Sequence, residues 1–214
     1  MNFNLSTDPR FLVLFARCMR RGTVFAALIF GASLAASAAG RTPHGPDHPA
    51  SITMPAQGTM EVAFSPNEGA ESLVIKVIDS ARSELRVMAY SFTSVPVVEA
   101  LLRARHRPGH AVDVQVVVDA KENLRSRNAI AAMNALVNAG VVVRTIDVYP
   151  IAHDKVIVAD RSTVELGSYN YSGAAAHSNS ENVLVVWGSP PLAAAYLRHF
   201  DRNFNLSKAY TPAY

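Results

Sequence analysis

The chain has 214 residues, 50% of them hydrophobic and 17% charged, with a formal net charge of +3 and an isoelectric point near 9.2. That length and apolar content suit one domain of ordinary size around a real core, and they exclude a disordered or fibrous chain. The only cysteine, Cys18, excludes an intramolecular disulfide and a cysteine-based metal site.

Residues 1–38 read as an export signal. Arg17, Arg20 and Arg21 precede the apolar run 22–35, and Ala36-Ser37-Ala38 fits a small-residue cleavage site. The run falls short of the ~20 residues that a membrane span needs. An uncleaved anchor is the competing reading, and Met19 competes with Met1 as the start. The segment holds Arg10, Arg17, Arg20 and Arg21 against Asp8, so its removal takes Lys+Arg from 20 to 16 and Asp+Glu from 17 to 16. The mature chain is then close to neutral, and any argument for a nucleic-acid partner must rest on local patches. The expected location is periplasmic or secreted, where a protein without disulfides is ordinary.

Residues 39–58 are rich in Pro, Gly, His and small side chains and read as a flexible linker, with His44 and His48 in a solvated tail. A single domain is expected over 59–214. Its elements alternate. MEVAF (60–64) is a short strand, and 67–82 is a helix with apolar residues at Leu73, Val74, Val77, Ile78 and Ala81. LRVMAYSF (85–92) is a strand. The segment 95–107 is a helix with Pro96 in its first turn, stopped by Pro108-Gly109. AVDVQVVVD (111–119) is a strand, 127–140 a helix closed by Gly140, and VVVRTI (141–146) a strand. ENVLVVW (181–187) is the next plain strand, and a last helix runs from about Pro191 to Phe204. The alternation predicts an α/β domain: a mixed, largely parallel sheet with helices packed on both faces.

Between these lies IAHDKVIVADRSTVELGSYN (151–170). Side chains two apart on a strand share a face, so His153 and Lys155 point the same way. A reversal at 160–163 would return TVELGS antiparallel. A two- or four-residue turn there pairs residues whose numbers sum to about 323. Lys155 would then face Ser168, and His153 would face Asn170. Such a cluster offers one group able to attack or move a proton, one fixed positive charge and two neutral hydrogen-bonding groups. It contains no carboxylate pair and no metal-ligand set. That chemistry fits a phosphate: Lys and Asn hold phosphoryl oxygens while the histidine attacks phosphorus. Glu181, at the head of the following strand, is the candidate carboxylate for orienting the imidazole.

The string His153-x-Lys155-x4-Asp160-x6-Gly167-Ser168-x-Asn170 resembles the HKD signature of the phospholipase D superfamily at every position. The stretches 64–94, 129–145 and 180–187 are similar to its short Nuc-type bacterial endonucleases. The resemblance implies a two-histidine mechanism, in which one His attacks phosphorus and the other protonates the leaving oxygen. It implies a covalent phosphohistidine and no metal or other cofactor. Larger relatives carry two HKD copies, whereas this chain carries one: His44, His48, His106, His110, His177 and His199 all lack a Lys two residues on. A homodimer sharing one site is therefore implied.

Asp160, at a turn where Asp is common for local reasons, is expected to act structurally within the motif. Lys121, Arg125 and Arg127, in the loop after a strand, are candidate contacts for a nucleic-acid backbone. Arg103, Arg105 and Arg107 read as cations at a helix end, and His177 as solvent-exposed. The expected activity is that of a metal-independent phosphodiesterase, a non-specific endonuclease on DNA and possibly RNA. The first alternative is a lipid phosphodiesterase acting on phospholipid, which would want an exposed apolar rim. No obvious rim is legible in the sequence, although Tyr149 and Pro150 sit beside the site. A non-catalytic nucleic-acid-binding module is the remaining alternative, and it would need a broken motif.

Overall fold

In the computed structural model, which describes residues 51–212, the chain runs β1 (Thr59–Ser65), α1 (Ala70–Ser80), β2 (Glu84–Ala89), α2 (Val95–Arg105), β3 (Asp113–Asp119), α3 (Ala120–Asn123), α4 (Arg127–Asn138), β4 (Val142–Ile146), β5 (Lys155–Ala159), β6 (Thr163–Gly167), α5 (Gly173–His177), β7 (Glu181–Trp187), α6 (Pro190–Leu206) and β8 (Lys208–Ala209). The expected signal segment, and the part of the linker before residue 51, lie outside the described residues. Residues 51–57 carry no regular secondary structure.

Local chemistry explains where the helices start. Ser94, Ser126 and Ser172 each accept a hydrogen bond from a backbone N–H three residues on, satisfying an otherwise orphaned donor at the starts of α2, α4 and α5. The apolar stripe of α1 is buried at Leu73, Val74, Val77 and Ile78. The expected strands and helices all form. Three short elements, α3, α5 and β8, were not expected, because pieces of two to five residues are too short to show a period.

The strands make one sheet in the order β1-β7-β6-β5-β2-β3-β4-β8. It is mixed, as expected, but only β2–β3 and β3–β4 pair in parallel; the other pairings are antiparallel. The expectation of a largely parallel sheet is corrected on this point. The α2 and α4 crossovers enforce parallel pairing, while the short reversals around β6 can only make antiparallel neighbours. Helices cover both faces. One core gathers α1, α2, α4 and α5 against Leu85, Val87, Val116, Ile157 and Val185; the other sets Ala193, Leu197 and Phe200 of α6 against Met88, Val117, Val156 and Val158. β5 is buried on both faces and reads as a continuous apolar run for that reason.

The β5–β6 hairpin differs from the expected one. Ala159 pairs with Thr163 and Val156 with Leu166, leaving a three-residue loop of Asp160, Arg161 and Ser162. Asp160 and Arg161 adopt positive φ, at 50° and 55°. Paired numbers therefore sum to 322, and continuing this register sets Lys155 opposite Gly167 instead of Ser168. A one-residue slip changes the face of every partner. The loop is held from outside. The Asp160 carboxylate accepts hydrogen bonds from the N–H groups of Arg82 (2.7 Å), Ser83 (2.7 Å) and Glu84 (3.1 Å) and from Ser83 Oγ (2.8 Å). Burial works against its charge, but these donors outweigh it and hold the carboxyl below its usual range.

Asp160 follows the carboxyl end of β5 and His153 precedes its amino end, so the whole strand lies between them. Its carboxylate fastens the turn to the α1–β2 connection, the structural part expected of it within the motif.

Candidate active site

One edge of the sheet collects the chemistry. The carboxyl ends of β2, β3, β4 and β6 and the amino ends of β5 and β7 all lie there, as the strand directions require. In a sheet of this kind, that edge is where ligands bind.

His153 is exposed just before β5, and its ring stands edge-on to Tyr90 with centroids 4.6 Å apart and planes at 61°. Lys155 is only 5% exposed. Its Nζ donates to the His153 carbonyl at 3.1 Å and lies 5.1 Å from the centroid of the Tyr90 ring. Burial pushes the Lys155 ammonium below its usual value, while the charges of Glu181 and Asp154 push it back up. His153 and Lys155 thus share one side of the chain, as their spacing predicts.

Ser168 and Glu181 join the cluster by another route than the expected cross-strand pairing. Ser168 Oγ donates to Glu181 Oε2 at 2.6 Å and accepts from the Asn182 N–H at 3.1 Å. Asn179 Nδ2 donates to Glu181 Oε1 at 3.0 Å. The Glu181 carboxylate is therefore engaged by Ser168 and Asn179, with no hydrogen bond to His153 within the chain. It meets Lys155 through its charge. Gly167 permits this packing: a Cβ there would come within 2.1 Å of the Asn182 carbonyl oxygen. Asn170 follows β6, with its Oδ1 buried and unpartnered.

Residues that sequence reasoning missed hold the loop before β5. Asp119 Oδ2 accepts from the Ala152 N–H at 2.8 Å, while its Oδ1 accepts from the Glu122 N–H and caps α3. On the other face, Asp154 meets His199 Nε2 at 3.1 Å and Asn203 Nδ2 at 3.3 Å, tying the His153 segment to α6. Asp119 before AKEN carries a legible helix-cap signal. Tyr90, His199 and Asn203 carry none, because their partners are distant in sequence.

The basic candidates divide. Lys121 Nζ donates to the Pro150 carbonyl at 3.2 Å and so reaches the loop that carries His153. Arg125 and Arg127 are exposed at the α3–α4 junction. The other arginine cluster is structural: Arg103 pairs with Asp79, Arg105 donates to the Ala139 carbonyl and Arg107 to the carbonyls of Asp79 and Ala81. His177 is exposed, with Nδ1 at 3.0 Å from Asn67 Oδ1. Val148, Ile151 and Leu124 are also exposed, at 45%, 56% and 47%, the first two on the His153 loop. Two exposed apolar side chains thus lie on the His153 loop, which the sequence did not make obvious, since neighbours on a loop reveal nothing of their exposure.

Beneath the site, Glu165 is fully buried and accepts a 2.7 Å hydrogen bond from Tyr171 Oη. Burial raises its carboxyl to about 8, with the Tyr171 bond acting in the opposite direction. Folding therefore takes up a proton between the unfolded value of ~4.3 and about 8. The stabilisation is fully present below the unfolded value and is lost as pH rises through the folded one. Denaturant unfolding from pH 5 to 9 should show stability falling by up to about 1.4 kcal/mol per pH unit in that window. Glu165→Gln should flatten the slope, and an unchanged slope would rule Glu165 out as its source.

Residues 74–204 match the family model described as "Cardiolipin synthase, PLD-like domain". The chain belongs to the phospholipase D superfamily. The solved structure of Nuc, a superfamily member from Salmonella typhimurium, is 43% identical and superposes with a TM-score of 0.68, covering 71% of this chain and 97% of Nuc. A phospholipase D of Rickettsia bellii is 30% identical over 149 residues, 70% of this chain and 71% of the relative. A mitochondrial cardiolipin hydrolase of Xenopus laevis is 30% identical over 141 residues, 66% of this chain and 62% of the relative. The protein is accordingly a phosphodiesterase of the phospholipase D superfamily, and the edge that carries His153 and Lys155 is the candidate active site.

Proposed function

We propose that this phosphodiesterase is an exported, metal-independent, non-specific endonuclease that works as a homodimer. The observation that carries the reading is the exposed imidazole of His153 beside the buried ammonium of Lys155, present once per chain. An imidazole nitrogen of His153 attacks phosphorus and forms a P–N bond, as the P–O bond to the leaving nucleotide breaks. The partner subunit's His153 donates a proton to that oxygen. It then takes a proton from water, which attacks phosphorus and breaks the P–N bond, freeing the imidazole. Lys155 and Asn170 hold the phosphoryl oxygens, and Ser168 and Glu181 fix the floor around them. Arg125 and Arg127, exposed cations beside the site, suit a passing phosphate backbone, with Lys121 bracing the adjacent loop. The 43% identity to Nuc over nearly its whole length supports the nuclease reading.

A second reading, a lipid phosphodiesterase, is favoured by the exposed Val148 and Ile151 on the His153 loop and by relatives named phospholipase D and cardiolipin hydrolase. The purified protein should be given plasmid DNA and, separately, phosphatidylglycerol and cardiolipin vesicles, each in excess EDTA. Nicking of plasmid in EDTA supports the proposal. Cleavage of lipid alone replaces it with the second reading, and dependence on added metal ends the metal-independent mechanism.

A further inference from the structure

The Tyr90 ring meets both members of the His-x-Lys pair. It lies just beyond β2, half-buried, and the β2–β5 pairing of Ala89 with Lys155 sets its ring against the amino end of β5. The imidazole of His153 leans edge-on against that ring at 4.6 Å, and the Lys155 ammonium sits 5.1 Å from its centroid. An ammonium has three donors. One is spent on the His153 carbonyl. The aromatic face takes a share of the positive charge without consuming a donor that a phosphate would need. Glu181 and Asp154 also favour the Lys155 charge, but a carboxylate in the place of the ring would repel the anionic substrate.

We propose that Tyr90 is a positioning residue of this site, its ring seating the His153 imidazole and holding the Lys155 ammonium charged and aimed at the substrate phosphoryl oxygens. The inference rests on the proposed roles of His153 and Lys155. It concerns the ring, since the phenol is turned to other business: Glu122 and, more weakly, Asp119 face it and raise its ionisation above the usual value. The remaining charges around Lys155 are Glu181 from β7 and Asp154 before β5.

The test uses the full chain and bis(p-nitrophenyl) phosphate, a small diester that bypasses the question of nucleic acid or lipid. Rates are followed from pH 5 to 10.5 for wild type, Tyr90→Phe, Tyr90→Trp, Tyr90→Leu and His153→Ala, with thermal unfolding of each. Tyr90→Leu should lower kcat by about tenfold through misplacement of the attacking ring. It should also move the alkaline limb down by about 0.5–1.5 pH units, the size of a lost partly desolvated cation–π contact. Tyr90→Phe should leave the limb where it is, and Tyr90→Trp should restore it if Tyr90→Leu is poorly folded. A kcat and limb unchanged in Tyr90→Leu would overturn the proposal while His153→Ala remains dead. A limb moved equally by Tyr90→Phe would also overturn it, by assigning the effect to the hydroxyl. Undiminished turnover by His153→Ala would instead sink the site reading on which it stands.

Discussion

His153→Ala is expected to lower phosphodiester turnover by at least ~10⁴-fold, the scale at which removal of a nucleophile leaves only binding and charge stabilisation. The side chain is exposed, with the Tyr90 ring as its aromatic neighbour, so folding stability should change by no more than about 1 kcal/mol. That separation of effects is the informative part. The segment bearing His153 is fixed through backbone and neighbouring groups, with Asp119 on the Ala152 N–H and His199 and Asn203 on Asp154. Truncating the imidazole leaves those contacts in place. Steady-state rates on plasmid and on the small diester, beside a urea melt, check both halves. A loss below tenfold with an intact fold would remove His153 from the chemistry, and a collapsed fold would show that its role is structural.

Mixing subunits should show a dependence on the square of the wild-type fraction. If each site needs two copies of His153, an equimolar exchange with His153→Ala should leave about a quarter of the wild-type activity per total chain, because about one dimer in four then carries both histidines. Chains with a complete site of their own would show about half per total chain. The reasoning starts from one His-x-Lys per chain and from an exposed imidazole, while the carboxylates that face Lys155 are engaged elsewhere: Glu181 by Ser168 and Asn179, Asp154 by His199. The described chain places no second histidine in contact with His153. Activity against wild-type fraction, after exchange through mild denaturant or by co-expression with distinct tags, distinguishes the quadratic from the linear course. A linear course would end the shared-site mechanism even if His153 proved essential.

The site is partly legible in the sequence, and the reasons differ from residue to residue. His153 and Lys155 were readable together because a period of two is a local property of a strand. Ser168, Asn170 and Glu181 were readable as types near the motif, but not in their contacts. Those depend on whether the hairpin loop has two, three or four residues, and the positive φ of Asp160 and Arg161 that decides it is sustained by hydrogen bonds from Arg82, Ser83 and Glu84, some 77 positions away. Tyr90 was invisible as a site residue: within MAYSF it reads as one more aromatic strand position, and only the β2–β5 pairing brings it to His153. Asp154, between the two motif residues, carries no signal of its own, yet it faces α6 and anchors the loop.

By itself, then, the sequence determined the alternation of strands and helices, the helix starts, the apolar stripes of the core and the motif with its family. All of these are written in patterns no longer than a helix or a strand. The tertiary structure alone decided how parallel the sheet is, the register of the hairpin, the exposure of Val148 and Ile151, and the company kept by Lys155. Each of those is set by contacts between segments far apart in the chain, and local propensity carries no information about distant partners.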